Sequence, residues 1–260
     1  MKFDQIKMGI MTTFNDNFSK QASIYAQFRP SYPHELYDYL SNLTSAHDLA
    51  WDCGTGNGQS AIHLADFYDS VYASDPSQAQ IQNAFAHDRV TYHIEKAESS
   101  TLNDRSVDLI TIAQAIHWFD FDKFYQEAKR VIKKDGIIAT WAYGIPSIDR
   151  TIDPLIKHFH NKIVGPYWPI ETKSIDQEYT TIPFPFREIE PPEFYIRKRF
   201  KLEDLLGHLR SWSATQLFIE KEGYNPIDNL QMELEKLWGD LNQPKNCSWR
   251  LYLRVGKLPA

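Results

Sequence analysis

The 260-residue chain has little cysteine, and its two residues, Cys53 and Cys247, stand far apart with no metal-ligand spacing around them. That excludes a disulfide scaffold and a cysteine-based metal site, and it points to free thiols in a reducing compartment, with no bound metal and a cytoplasmic location expected. No apolar run reaches the roughly 20 residues that a membrane span requires, and the first residues lack the apolar segment of a signal peptide, so no membrane contact is expected. Residues 1–13 carry no clear pattern, with Met8 or Met11 conceivable as alternative starts. Basic charge is scarce as well: 28 Lys and Arg against 34 Asp and Glu leave a net charge of -6. A nucleic-acid surface needs clustered cations, so no nucleic-acid partner is expected. The one basic cluster, Arg197-Lys198-Arg199, alternates with Phe194, Ile196 and Phe200 and reads as the solvated end of a strand. There is no internal repeat and no low-complexity segment. What is present is a hydrophobic content of 42%, enough for a single α/β domain over 1–260 with an added cap.

Of only eleven glycines, three fall at alternate positions in Asp52-Cys53-Gly54-Thr55-Gly56-Asn57-Gly58. Residues 49–51 end an apolar strand and 60–65 begin a helix, so these glycines occupy a strand-to-helix turn. Glycine there permits a sharp turn and lets a ligand touch the main chain without meeting a Cβ. The spacing differs from the Gly-x-Gly-x-x-Gly of dinucleotide enzymes, and Asp52 just before it would repel a pyrophosphate while suiting a ligand with an ammonium group. Thr55 lies within the same loop. A second strand over 71–75 closes on Asp75-Pro76, about 20 residues beyond the loop, where such folds bind ribose hydroxyls. A third, 90–94, leads to Ala97-Glu98, and a fourth, 107–113, leads to Gln114-Ala115-Ile116-His117-Trp118. Every strand thus ends in polar residues at its carboxyl edge, the ligand edge of open α/β sheets.

Helices are expected between these strands. Residues 34–41 follow Pro33, a favoured first-turn residue. Residues 78–86 follow the Asp75 strand, and 120–132 carry Phe121, Phe124, Tyr125, Ala128 and Ile132 on one apolar face. A fifth strand is expected over 136–142 after a Lys-Asp-Gly turn. This alternation means a parallel, doubly wound sheet. Residues 18–28 have near-helical apolar spacing and stop at Arg29-Pro30. After Gly144 the rhythm breaks: 145–192 hold many prolines and aromatics and one short amphipathic stretch, 154–163. A strand over 194–200, a helical region over 202–222 with a break near Ser213, a helix after Asn225-Pro226 with Leu230, Leu234, Leu237 and Leu241 buried, and a last strand over 248–255 complete the chain.

The ordered set WDCGTGNG, SDPS, KAES and DLITIAQAIHWF resembles the motifs of class I S-adenosylmethionine-dependent methyltransferases over roughly residues 20 to 143. The segments Tyr25-Ala26-Gln27-Phe28-Arg29-Pro30-Ser31-Tyr32-Pro33 and Leu209-Arg210-Ser211-Trp212-Ser213-Ala214 are similar to those of small-molecule methyltransferases of the trans-aconitate methyltransferase type. The resemblance implies an α/β, Rossmann-like, doubly wound, mostly parallel seven-stranded sheet with an antiparallel last strand and an α-rich cap. It divides the domain into an N-terminal helical lid (14–41), a cofactor-binding core (42–144), a substrate cap insertion (145–192) and the C-terminal half of the sheet with helices (193–260).

The implied cofactor is S-adenosyl-L-methionine, and each of its parts needs a different partner. Asp75, with Pro76 beside it, would clamp the ribose, because a carboxylate accepts from both hydroxyls. Gly54, Thr55, Gly56 and Gly58 would approach the amino acid portion and ribose, and Gln114 or Ala115 would offer a carbonyl to the ammonium group. Asp52 would act through water or hold the loop. Tyr25 and Arg29 of the lid would face the methionine end, with Arg29 pairing with a carboxylate of cofactor or acceptor. Ala97 and Glu98 match the adenine positions, and Tyr25 or Trp118 would lay an aromatic face near the sulfonium. His117 is the candidate base for a hydroxyl acceptor, or a partner for a carboxylate; packing beneath the cofactor is the alternative. Trp141, Tyr143 and Trp168 are the candidate substrate contacts. The expected reaction is an in-line methyl transfer to a small molecule, a carboxylate oxygen for preference, by a monomer or homodimer. A methyltransferase of protein or RNA and a non-catalytic cofactor-binding partner protein are the alternatives.

Overall fold

A computed structural model describes residues 30–259. The expected helix over 18–28, and with it Tyr25, Arg29 and most of the expected lid, lies outside the described residues. Helix α1 (His34–Asn42) buries Leu36, Tyr37 and Leu40 and enters from Pro33 as expected. The core then alternates β1 (Leu49–Cys53), α2 (Gln59–Leu64), β2 (Ser70–Asp75), α3 (Gln78–Gln82), β3 (Val90–Ile94), β4 (Val107–Ala113), α4 (Phe121–Val131) and β5 (Ile132–Tyr143). Beyond it come α5 (Asp153–His158), continued by a π-helical turn (Phe159–Ile163), then the short α6 (Lys173–Asp176), β6 (Arg187–Ile189), β7 (Tyr195–Phe200), α7 (Leu202–Arg210), α8 (Ser213–Glu222), α9 (Ile227–Trp238) and β8 (Lys245–Lys257).

One sheet runs in the order β3-β2-β1-β4-β5-β8-β6, with β7 also on β8. β1 to β5 pair in parallel, and β8 enters antiparallel to β5. β6 faces residues 255–257 of β8 and β7 faces residues 245–250, with a register slip of one residue between them. They form one interrupted outer strand, so the sheet is seven strands across. The antiparallel last strand lies inside the sheet, not at its rim. Central strands with both faces covered must be apolar throughout, and β4 is buried along nearly its whole length. One face packs Ala50, Leu109, Ile137, Ala139 and Trp141 against α1, α2 and the C-terminal helices. The other packs Trp51, Ile110, Ile112, Ile138 and Ala142 against α4 and the chain around Tyr179 to Phe186. Successive residues of a strand point to opposite faces, which explains this division.

Three expectations about elements change. The helix after Asp75 ends at Gln82, not residue 86, because Phe85 N–H donates to Asn57 O and the chain turns back toward the glycine loop. The Lys-Asp-Gly turn is a bulge within β5: Val107 pairs with Ile132 and Leu109 with Ile137, so four residues of β5 oppose Asp108 alone. On α9 the buried face is Ile227, Leu230, Leu234 and Trp238, while Leu237 and Leu241 are exposed. The i+4 step from Leu234 reaches Trp238, whose larger ring takes the core position.

Candidate active site

The sheet order reverses between β1 and β4, and the crevice at their carboxyl ends is where this architecture accepts ligands. The glycine loop leaves β1 there. Gly54, Gly56 and Gly58 all have positive φ, of 70°, 57° and 84°. A Cβ at Gly54 would meet the Ala115 Cβ at 2.6 Å, and one at Gly58 would meet the Tyr92 hydroxyl at 2.1 Å. Packing within the protein therefore demands both. At Gly56 the nearest atom to an added Cβ is Gln80 Oε1 at 3.9 Å, so this glycine borders open space. The amides of Gly54 and Thr55 donate to Ser74 O at 2.8 and 3.0 Å, tying the loop to the end of β2.

Asp75 follows Ser74. Its carboxylate accepts from Gly56 N–H and Ser77 N–H, both at 2.9 Å, and so is oriented by the loop it faces. Asp52 is not placed for direct contact with a ligand's ammonium group; of the roles expected of it, holding the loop is the one its hydrogen bonds match. It is fully buried beneath the loop, accepting from the Thr55 hydroxyl at 2.5 Å and the Thr111 hydroxyl at 2.8 Å. Burial pushes its carboxyl up to about 6 against those two donors. Thr55 is correspondingly drawn inward. Ala97 is buried, whereas Glu98 is half-buried and accepts from Asp120 N–H at 2.9 Å, fixing the approach to α4.

Beyond β4, Gln114 adopts φ 57°, rare for a residue with a Cβ. Its side chain explains how this is held: Oε1 accepts from Tyr143 N–H at 2.9 Å and Nε2 donates to Tyr143 O at 3.3 Å. The amide imitates one more residue of β-pairing to β5 and swings the chain into the turn Ile116–Trp118. This turn puts Gln114, His117 and Trp118 into the wall of a cavity of about 100 Å³. The opposite wall comes from the end of β5 and the chain after it: Tyr143, His160, Trp168, Thr172 and Asp176, together with His208 and Trp212. His117 is buried, and its Nδ1 lies 2.8 Å from the hydroxyl of Tyr179, itself fully buried with its hydroxyl pushed well up by burial. His160, Trp168 and Trp212 pack their rings against one another in a triangle, and His160 Nε2 lies 3.6 Å from Asp176.

Of the three candidate substrate contacts, Tyr143 and Trp168 line this cavity. Trp141 does not: it is fully buried, edge-on to Tyr32 and Tyr37. Adjacent residues of β5 face opposite ways, but 141 and 143 share a face, and only the end of the strand opens into the cavity. The reading of the sequence missed His160, Asp176, His208 and Trp212 as wall residues. Trp212 does stand in the segment 209–214 that carries the resemblance, at the break between α7 and α8; His160 carries no sequence signal, because a π-helical turn sets its direction.

A methyltransferase-domain family matches residues 51–140. A protein of Dictyostelium discoideum named as a methyltransferase is 36% identical over 87% of this chain and 88% of its own length. The chain belongs to the S-adenosylmethionine-dependent methyltransferases. A Saccharomyces cerevisiae protein named for S-adenosylmethionine-dependent methyl transfer is 27% identical over 51% of this methyltransferase and 48% of its own chain. A solved structure from Anaeromyxobacter dehalogenans, described as a type II methyltransferase, superposes with a TM-score of 0.85 at 36% identity, covering 90% of this chain and all of its own. The residues at the crevice fit the family's cofactor. Gly56 leaves room at the main chain, the Asp75 carboxylate is held at the end of β2 by Gly56 N–H, and Ala97 brings a buried, small residue to the next strand end. Among the described residues no helix is long and apolar enough to cross a membrane.

Proposed function

We propose that this methyltransferase acts on a small molecule held in the cavity beyond β4. One observation carries the reading. The segment after β4 touches the glycine loop on one side, through Ala115 and Phe119 against Gly54, and walls the cavity on the other, through Gln114, His117 and Trp118. A ligand on the loop and a ligand in the cavity are therefore neighbours. Bound at the loop, S-adenosylmethionine supplies an electrophilic methyl group on a sulfonium cation. Gly54, Gly56 and Gly58 give main-chain approach, Asp75 and Pro76 hold the ribose, Ala97 and Glu98 border the adenine, and Gln114, Ala115 and Trp118 border the methionine end. The protein's own contribution is alignment and the exclusion of water, since an in-line displacement needs little else.

The cap reading of 145–192 is supported by His160, Trp168, Thr172 and Asp176, all of which reach the cavity wall. A carboxylate oxygen as the acceptor rests on Arg29, outside the described residues, and on the resemblance. Calorimetric titration tests the proposal. S-adenosylmethionine should bind saturably and NAD should not, and Asp75→Ala should lose about 1.5–3 kcal/mol of affinity, the worth of hydrogen bonds to a charged group. Absence of saturable binding to the unmutated protein would overturn it.

A further inference from the structure

The wall of the cavity says what kind of molecule enters it. Four large aromatic side chains, Trp118, Tyr143, Trp168 and Trp212, come from four different stretches of chain and converge on it. Trp118 lines the cavity and is 37% exposed, so its ring is within reach of a ligand. The Trp168 indole N–H is buried and meets no acceptor among the described residues. An indole N–H only donates, so a ligand oxygen that reached it through a shift of the ring would give it a partner.

Charge points the same way. Among the described residues the wall holds no lysine or arginine, and it does hold Asp176. A carboxylate brought out of water there would find no fixed counter-charge among the described residues, which is costly. Resting on the proposed methyl transfer, we propose that the acceptor is an uncharged planar ring bearing a hydroxyl, a phenol or an enol, stacked on Trp118 and Trp168, with His117 as the base.

The step balances. His117 Nδ1 and the Tyr179 hydroxyl share a hydrogen bond whose donor is set by the imidazole tautomer; the proposed step uses the tautomer in which Nδ1–H donates and Nε2 accepts the ligand's proton. His117 takes the hydroxyl proton as the ring oxygen forms its bond to the methyl carbon. The carbon–sulfur bond breaks, its electron pair stays on sulfur, and the sulfonium becomes a neutral thioether. The imidazolium then returns its proton to water.

The test is a binding experiment on the full chain, with and without S-adenosylhomocysteine, using 4-nitrophenol, benzoate and citrate as probes. 4-Nitrophenol should bind at least about tenfold more tightly than benzoate or citrate. Its bound form should show the phenolate absorbance band, and His117→Phe should remove that band. Trp168→Leu should weaken its binding by about tenfold, the effect of one lost ring stack. Trp118→Leu, at an exposed position, should do the same and stands in if the Trp168 variant does not fold. Tighter binding of benzoate or citrate, unchanged affinity in the folded tryptophan variants, or a phenolate band that survives in His117→Phe would each overturn the proposal. Failure of S-adenosylhomocysteine to bind would instead strike the methyl-transfer reading, and the probe titrations without it are still decisive for the ring hydroxyl.

Discussion

Asp52 stands one residue before the glycine-turn cysteine and carries a charge in every unfolded conformation, yet the fold places it under the loop with only hydroxyls around its carboxylate. Its ordinary value of 3.8 rises to about 6 on folding. A carboxyl raised by folding stabilises the native state fully below its unfolded value, and that contribution is lost as pH climbs through the folded one. Between about pH 4 and 6 the unmutated protein should therefore lose on the order of 2–3 kcal/mol from this residue. Asp52→Asn should flatten the fall, seen as a smaller change in melting temperature across that window; an unchanged slope would refute the assignment. The glycines make a second residue-level test. Gly58→Ala drives a Cβ into the Tyr92 hydroxyl, whose hydrogen bond to Phe85 O would be disturbed, and should destabilise the fold. Gly56→Ala meets nothing close and should cost only the left-handed conformation, about 1–2 kcal/mol, while weakening S-adenosylmethionine binding by about tenfold. Denaturant unfolding and calorimetry on the two variants separate these outcomes.

At the scale of elements, helix α4 shows how a site is held from outside. Its apolar side puts Phe124, Tyr125, Ala128 and Val131 on the sheet, with Trp51 of β1 against Phe124. Its polar side is tied down by Glu127, which accepts from Ser100 N–H and from Arg130, and Arg130 continues to Asp104 and Leu102 O. Burial alone would raise the Glu127 carboxyl, but the Arg130 and Ser100 donors outweigh it and hold it low. Helix α9 gives a sharper contrast. Leu234→Ala should cost about 2–5 kcal/mol as a core truncation, whereas Leu237→Ser should remain within about 0.5 kcal/mol, because the solvent-facing side chain leaves no cavity. Equal losses in chemical denaturation would put the register of α9 in error. The strand elements were legible from sequence because β1, β2, β4 and the middle of β5 are short apolar runs with polar ends. The ends of α3 and the bulge in β5 were not, since Phe85 bonding to Asn57 and Asp108 facing four residues are contacts between segments.

Across the whole molecule, the site joins two halves of the chain that differ in how much they disclose. The sequence by itself determined the alternation of strands and helices, the parallel sheet and the loop between β1 and α2, because period, glycine position and strand-end polarity are local properties of neighbouring residues. It also placed Asp75, Gln114, His117 and Trp118 at strand ends, where backbone geometry alone commits them to one edge of the sheet. The tertiary structure decided the rest. It buried Asp52 beneath the loop it was expected to hold or to serve through water, and it buried Trp141, a candidate substrate contact, because each faces into the core and not into the crevice. It carried β8 between β5 and the interrupted outer strand, which no local pattern dictates. And it closed the cavity, since His160 on a π-helical turn, Asp176 on α6 and Trp212 at a helix break are far apart in the chain and become neighbours only through packing.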